Sequence, residues 1–241
     1  MIAGVRQQAD PLSRGDALQR LADVGLDYVV VPWGVTESLH TTIFGADDFA
    51  QLPDVLREIR RLEMCPVVEI PLFVESEDVL DENIDRLTEW GIQHVEVFAI
   101  ATTGGDRSAD DEAAPFAAHQ LRQIAAWVEE MADQRPLQTI WLPPVGCASA
   151  SSVTELARRG PRAGGDVSIR VEPDGRVIPP RGPYQAAGNL LDQPWDDIWQ
   201  HPVFTRYRER VEQGTRCDQC PGLAICAADC PADPNSWANE S

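Results

Sequence analysis

Two stretches of this sequence share one grammar. Leu18, Leu21, Gly25, Leu26, Val29 and Val31 are matched, at a constant offset, by Ile84, Leu87, Gly91, Ile92, Val95 and Val97. Each stretch is a helix-spaced apolar set, then a glycine, then an apolar run of strand character. A helix that halts on glycine and feeds a strand, used twice, calls for parallel strands joined by helical crossovers. The neighbouring segments read the same way. Ser13-x-x-Asp16 resembles a capping box ahead of a helix over 17–24, with a strand over Asp27–Val31. Phe49, Leu52, Val55, Leu56, Ile59 and Leu62 make a helical stripe before the strand-like run Pro66–Phe73. A helix over 78–90 precedes a strand over 94–100, and a helix over 114–132 precedes a strand over 139–142. The fold class is α/β.

Near residue 160 the grammar changes. Ser152-x-x-Glu155 is a second capping-box pattern, and it opens a helix that runs into the Gly-, Pro- and Arg-rich segment 159–165. Then Val167–Val171, Pro173-Asp174-Gly175 and Arg176–Ile178 spell strand, turn, strand: a β-hairpin. Pro194 opens a short helix with Trp195, Ile198 and Trp199 on one side. Pro202 starts another, on which Phe204, Tyr207 and Val211 form a packing stripe. Residues 1–160 and 161–241 are therefore expected to be separate domains.

Four cysteines close the chain as Cys217-x2-Cys220-x5-Cys226-x3-Cys230. A Cys-x2-Cys pair puts two thiolates on one tight turn, and Pro221 and Gly222 let the chain fold back so that Cys226 approaches from another side. Four thiolates suit either one tetrahedral zinc ion or the four irons of a cubane cluster. Because those thiolates must be gathered and deprotonated, metal binding also supplies folding free energy to so short a segment. The other two cysteines, Cys65 and Cys147, stand alone. His94 and His119 lie in strand or helix patterns without ligand spacing, and His40 falls in a loop without a visible partner. Thr102-Thr103-Gly104-Gly105 follows a strand where a βα loop would meet a ligand, and is read as an ordinary loop.

The C-terminal segment resembles the SPASM or twitch auxiliary-cluster domain of radical S-adenosylmethionine (SAM) enzymes. The cysteine spacing carries the likeness, with the Pro-Asp-Gly hairpin, Gly188-Asn189-Leu190 and the run from Trp195 through Trp199 and Pro202 to Phe204. The βα units over 13–145 are similar, less specifically, to the middle and end of that family's partial barrel, and His40–Gly45 is similar to one of its loops. The resemblance implies a partial (β/α) barrel of about four units followed by a hairpin and cysteine-cluster domain. It also implies a [4Fe–4S] cluster on Cys217, Cys220, Cys226 and Cys230, with zinc as the alternative. Two family features are missing from these 241 residues: the Cys-x3-Cys-x2-Cys loop that holds the SAM-binding cluster, and the Gly-Gly-Glu-Pro segment. Pro180 also stands where an upstream auxiliary cysteine is expected. The expectation is one auxiliary cluster, no catalytic residues for SAM cleavage, and a degenerate, split or truncated radical SAM-like chain. Its partner would be a complete radical SAM enzyme or a peptide; a non-catalytic zinc scaffold or peptide-recognition module is the alternative. By pattern the chain starts after the family's second strand, which would leave Asp27–Val31 as an exposed sheet edge.

Composition narrows the rest. The net charge is −19, and all 20 basic residues are arginine, so lysine chemistry is excluded and no nucleic acid is expected as a partner. No stretch approaches the roughly 20 apolar residues that span a bilayer. The N-terminus has no apolar signal core, which points to a cytoplasmic chain without a membrane partner.

Overall fold

The computed structural model describes residues 2–45, 48–76, 79–102, 113–117, 120–142, 145–147, 152–161, 168–179 and 186–205. Strand β1 (Gly4–Arg6) leads through helices α1 (Ala9–Ser13) and α2 (Ala17–Asp23) to β2 (Tyr28–Pro32). Helices α3 (Glu37–Phe44) and α4 (Leu52–Arg61) connect to β3 (Cys65–Leu72), and α5 (Leu80–Glu89) to β4 (His94–Thr102). A two-residue strand β5 (Phe116–Ala117) precedes α6 (Leu121–Asp133), β6 (Gln138–Trp141), β7 (Val145–Cys147) and α7 (Val153–Arg159). The small C-terminal set is β8 (Arg170–Val171), β9 (Arg176–Ile178), β10 (Gly188–Asn189) and α8 (Trp195–Trp199), with residues 202–205 helical after it.

Strands β1, β2, β3, β4 and β6 lie side by side in chain order, each parallel to its neighbour. Strands β5 and β7 extend the pairing of β4 at its far end. This is the parallel, helix-linked sheet that the sequence calls for. It is open: among the described residues no strand pairs the outer side of β1 or β6. Strand β2 is not the edge, because β1 covers it, with Gly4 opposite Tyr28 and Arg6 opposite Val30. The sequence expectation missed β1 because three residues carry no readable period. The small sheet is antiparallel, in the order β10-β9-β8, and contains the expected hairpin.

Alternation along the strands separates two faces. Val29, Val31, Val68, Ile70, Leu72, Val95 and Val97 join one apolar core with Leu56 and Ile59 of α4, Ile84 and Leu87 of α5, and Ile124 and Val128 of α6. Fully burying each such side chain stabilises by about 1.5–3 kcal/mol. The opposite face holds Arg6, Val30, Glu69, Glu96 and Ile140 and is partly polar.

The helix–strand turns explain the repeat. At Gly25 and Gly91 the backbone is left-handed, with φ of 77° and 74°. Gly25 N–H donates to Ala22 O and Leu26 N–H to Leu21 O; Gly91 and Ile92 do the same to Thr88 and Leu87. A third copy joins α4 to β3, where Glu63 and Met64 donate to Arg60 and Ile59. There the left-handed position is Glu63, at φ 61°, so the unit is built alike but reads differently.

Other elements depart from expectation. His40 lies within α3, which Thr36 caps by accepting from Leu39 N–H. Ser13 ends α1, and its hydroxyl donates to Asp10 O and bonds to Gln51, while Asp16 makes no side-chain cap. The 114–132 helix begins only at Leu121, since Phe116 and Ala117 pair with Ala101 and Thr102. The second capping pattern forms in its N-cap half, with Ser152 Oγ accepting from Glu155 N–H, while the Glu155 carboxylate pairs with Arg159 instead.

A left-handed residue other than glycine costs about 1–2 kcal/mol. A Cβ added at Gly25 would meet no neighbour within 4 Å, so only the conformation opposes it. Urea unfolding should show Gly25→Ala less stable by about 1 kcal/mol and Glu63→Gly more stable than the parent chain. Equal stability of all three chains would contradict the assignment of these turns.

Candidate functional site

Cys217, Cys220, Cys226 and Cys230 lie outside the described residues, as do His119, Thr103, Gly104, Gly105, Tyr207 and Val211. What is described is the support that leads toward the cysteines. Val177, Ile198 and Phe204 form a separate small core, with Ile169, Ala187, Trp199 and Val203 packed on it. Trp195 stacks on Trp199 with ring centroids 5.3 Å apart, and Trp199 meets Phe204 at 5.8 Å. Of the aromatics read from sequence, Trp199 and Phe204 do pack. The turn at Gly175 (φ 84°) closes the hairpin, and Asn189 ties it to β10 by donating from its side chain to Asp174 O.

This module is anchored on the end of α7. Arg170 of β8 donates from Nη1 to the carbonyls of Arg159 and Pro161. The same helix end is held from the other side by Arg6, whose Nη1 donates to Arg158 O (2.9 Å) and Nη2 to Ala157 O (3.4 Å). Two cations at the C-terminal carbonyls of one helix are the arrangement that its dipole favours.

Arg6 also builds the polar face. Its Nε and Nη2 donate to both oxygens of Glu69, at 2.6–3.0 Å. The Glu69 side chain is 2% exposed and that of Arg6 26%. A buried carboxylate needs such a partner. Glu69 is the register partner of Glu96 on the adjoining strand, so the two carboxyls rise side by side. Burial, reinforced by the Glu69 charge and only partly offset by Arg6, raises the Glu96 carboxyl from the usual 4.5 to about 7. The Tyr28 phenol is likewise raised, by burial first and then by the charges of Glu96 and Asp27.

His40 is a buried structural group. Gly34 N–H donates to its Nδ1 (3.2 Å), so the ring proton sits on Nε2, 2.6 Å from one Asp48 oxygen. The other Asp48 oxygen accepts from Asp10 N–H of α1 at 2.6 Å. Sequence reading missed this pair because Asp48 stands in a different segment, eight residues on. Cys65 and His94 line a shallow cleft of about 370 Å³ at the strands' N-terminal ends. Burial pushes the Cys65 thiol up, which keeps it protonated and a poor ligand. Cys147 ends β7 opposite Thr102. Among the described residues no three His, Cys, Asp or Glu side chains gather as a metal site, and no helix is long and apolar enough to cross a membrane.

Comparison with known proteins bears on the C-terminal part directly. Residues 164–221 match the model of the SPASM family, an iron-sulfur cluster-binding domain. The match takes in Cys217 and Cys220 and stops short of Cys226 and Cys230. No curated protein matches the chain in sequence. Among solved structures, the fold is similar to Streptococcus suis SuiB, with TM-score 0.53 and 13% identity over 98% of this chain and 58% of that one. SuiB bound to its precursor peptide SuiA gives TM-score 0.54 and 15% identity, over 93% and 53%. Native anSMEcpe with bound AdoMet and Kp18Cys peptide gives 0.56 and 11%, over 96% and 67%. These are radical SAM enzymes with SPASM domains, and the likeness is one of fold. The chain spans little more than half the length of SuiB.

The Glu96 carboxyl has a consequence for stability. Its proton is held more tightly in the folded chain than in the unfolded one, so stability falls as pH climbs from 4.5 to about 7. Glu96→Gln removes that loss. Urea melts should show the variant gaining on the parent chain across this window, with no further gain above it. An advantage that is the same at every pH would contradict the raised carboxyl.

Proposed function

We propose that this chain is the auxiliary-cluster portion of a radical SAM enzyme system, with one [4Fe–4S] cluster held by Cys217, Cys220, Cys226 and Cys230. The observation that carries the reading is the SPASM match over residues 164–221, which enters the cysteine series at its Cys-x2-Cys pair. The donor set fits: four thiolates within one short segment close all four irons of a cubane. When bound, such a cluster passes electrons or holds substrate. The chain's own described residues supply its mounting, through the core of Val177, Ile198 and Phe204 and the Arg170 anchor on α7.

The same donor set argues against SAM cleavage by these residues alone. That reaction needs an iron with an open coordination site, left by three cysteines in one loop. These 241 residues contain no Cys-x3-Cys-x2-Cys series, and the C-terminal series has a thiolate for every iron. The radical-generating site is therefore supplied from outside these residues. The partner we favour is a peptide, since the similar SuiB and anSMEcpe structures were each solved with one bound.

Anaerobic purification tests this reading. The protein should be brown and hold iron and sulfide in near-equal amounts, and serine at any one of the four cysteines should greatly weaken binding. The same preparation, given SAM and a strong reductant, should form no 5′-deoxyadenosine. A colourless protein with stoichiometric zinc would replace the cluster by a structural metal. Formation of 5′-deoxyadenosine would overturn the division of labour.

A further inference from the structure

The small C-terminal module exposes apolar surface that its own core does not use. Among the described residues seven large apolar side chains are exposed, and three of them fall within six residues: Leu190 (39%), Leu191 (76%) and Trp195 (43%). Every residue from 190 to 197 is exposed. Leu191 and Trp195 are four residues apart, so their Cα atoms lie within about 14 Å and can meet one partner. Apolar residues exposed singly need no explanation, whereas a concentration of them marks an interaction surface.

This ledge is held in place. Asn189 O accepts from the N–H groups of Asp192 and Gln193, and the Asn189 side-chain oxygen accepts from Leu191 N–H. The Gln193 side chain folds back to accept from Asn189 N–H, and Leu190 N–H donates to Gly175 O in the hairpin turn. Trp195 stacks on Trp199, which packs on the module's core. A surface already fixed in this way loses little further freedom when a partner binds.

Charge selects the partner. Asp192, Asp196 and Asp197 belong to the same exposed run, and among the described residues no arginine pairs with them. Asp196 and Asp197 also suit the first turn of α8, but Asp192 lies outside that helix. The module's described arginines are committed elsewhere: Arg170 to Glu172 and the end of α7, Arg176 to Asp174. A second copy of this chain would set the same aspartates against one another, and a net charge of −19 opposes its approach. A basic segment is complementary in charge and, with apolar side chains between its cations, in polarity as well.

We propose that Leu190, Leu191 and Trp195 form a docking surface for a basic peptide segment in which leucine-like side chains are flanked by arginine or lysine. The apolar side chains rest on the two leucines and the indole, a residue type that anchors interfaces. The flanking cations pair with Asp192 and its neighbours. This rests on the peptide reading above and narrows it to the kind of segment recognised. No cysteine takes part, so the docking surface and the cluster can fail separately.

Calorimetry on the metal-loaded full chain tests this, with acetyl-Gly-Arg-Leu-Leu-Arg-Gly-amide as the probe. One control peptide carries glutamate in place of both arginines, the other glycine in place of both leucines. The probe should bind one to one, more weakly as salt rises, and each control should bind about tenfold more weakly or worse. Leu191→Ser and Trp195→Ala should each cost about tenfold or more in affinity, and Leu191→Ser should keep the metal content of the parent chain. No binding of the probe, equal binding of the glutamate peptide, or unchanged affinity in both variants would overturn the proposal while leaving the cluster reading intact. Affinity lost together with metal would assign the ledge to holding the module's fold instead. Sedimentation showing a dimer that Leu191→Ser dissolves would give the surface to a second copy, and either result would overturn the proposal.

Discussion

One arginine joins three parts of this molecule that chain order keeps apart. Arg6 sits on the short edge strand, neutralises Glu69 in the third strand and holds the carbonyl end of α7. Without it Glu69 would be a buried, unpaired carboxylate, a loss on the order of 3–5 kcal/mol. Gly160 records how close the contact is, since a Cβ there would fall 2.7 Å from the Arg6 Nε. The same helix end receives Arg170 of the C-terminal module, so Arg6 and Arg170 hold neighbouring carbonyls of one helix terminus. A buried ion pair is weak evidence for stability in general. Here it matters because it also fixes where α7 ends.

The sheet's two faces then do different work. The apolar face does the folding: α4, α5 and α6 lay their stripes on strands whose inward residues are valine, isoleucine and leucine. The opposite face keeps two carboxyls and one guanidinium, and Arg6 pairs the more deeply buried of the two, Glu69. The small module has little apolar core of its own, a cluster built on Val177, Ile198 and Phe204. A bound metal at the cysteines that follow would add the cohesion that this core lacks.

What could be read from sequence follows from which interactions are local. The helix–glycine–strand units were legible because an apolar period and a left-handed glycine are both properties of neighbouring residues. The third such turn was hidden, because Glu63 adopts the same conformation without glycine's signature. Strand β1 and the two-residue β5 were illegible because their order comes from pairing partners far along the chain. The cysteine series was legible as chemistry, since its spacing lies within one segment. The Glu69–Glu96 pair was not: the two residues meet only once β3 and β4 are in register. One signal was available, a lone glutamate inside the apolar run Pro66–Phe73, which demands a buried cation somewhere in the fold. The His40–Asp48 bond was lost for a similar reason, since His40 was read as a loop residue and proved to be helical.

The central claim is that metal is held by the C-terminal cysteines in a module separable from the parallel sheet. Hydrogen exchange, followed by mass spectrometry on the metal-loaded chain and again after the metal is stripped, tests this most directly. The account predicts that stripping exposes the amides of residues 168–205 and the segment after them, while β2, β3 and β4 keep their protection. Loss of protection throughout the sheet, or no change in the C-terminal part, would contradict it.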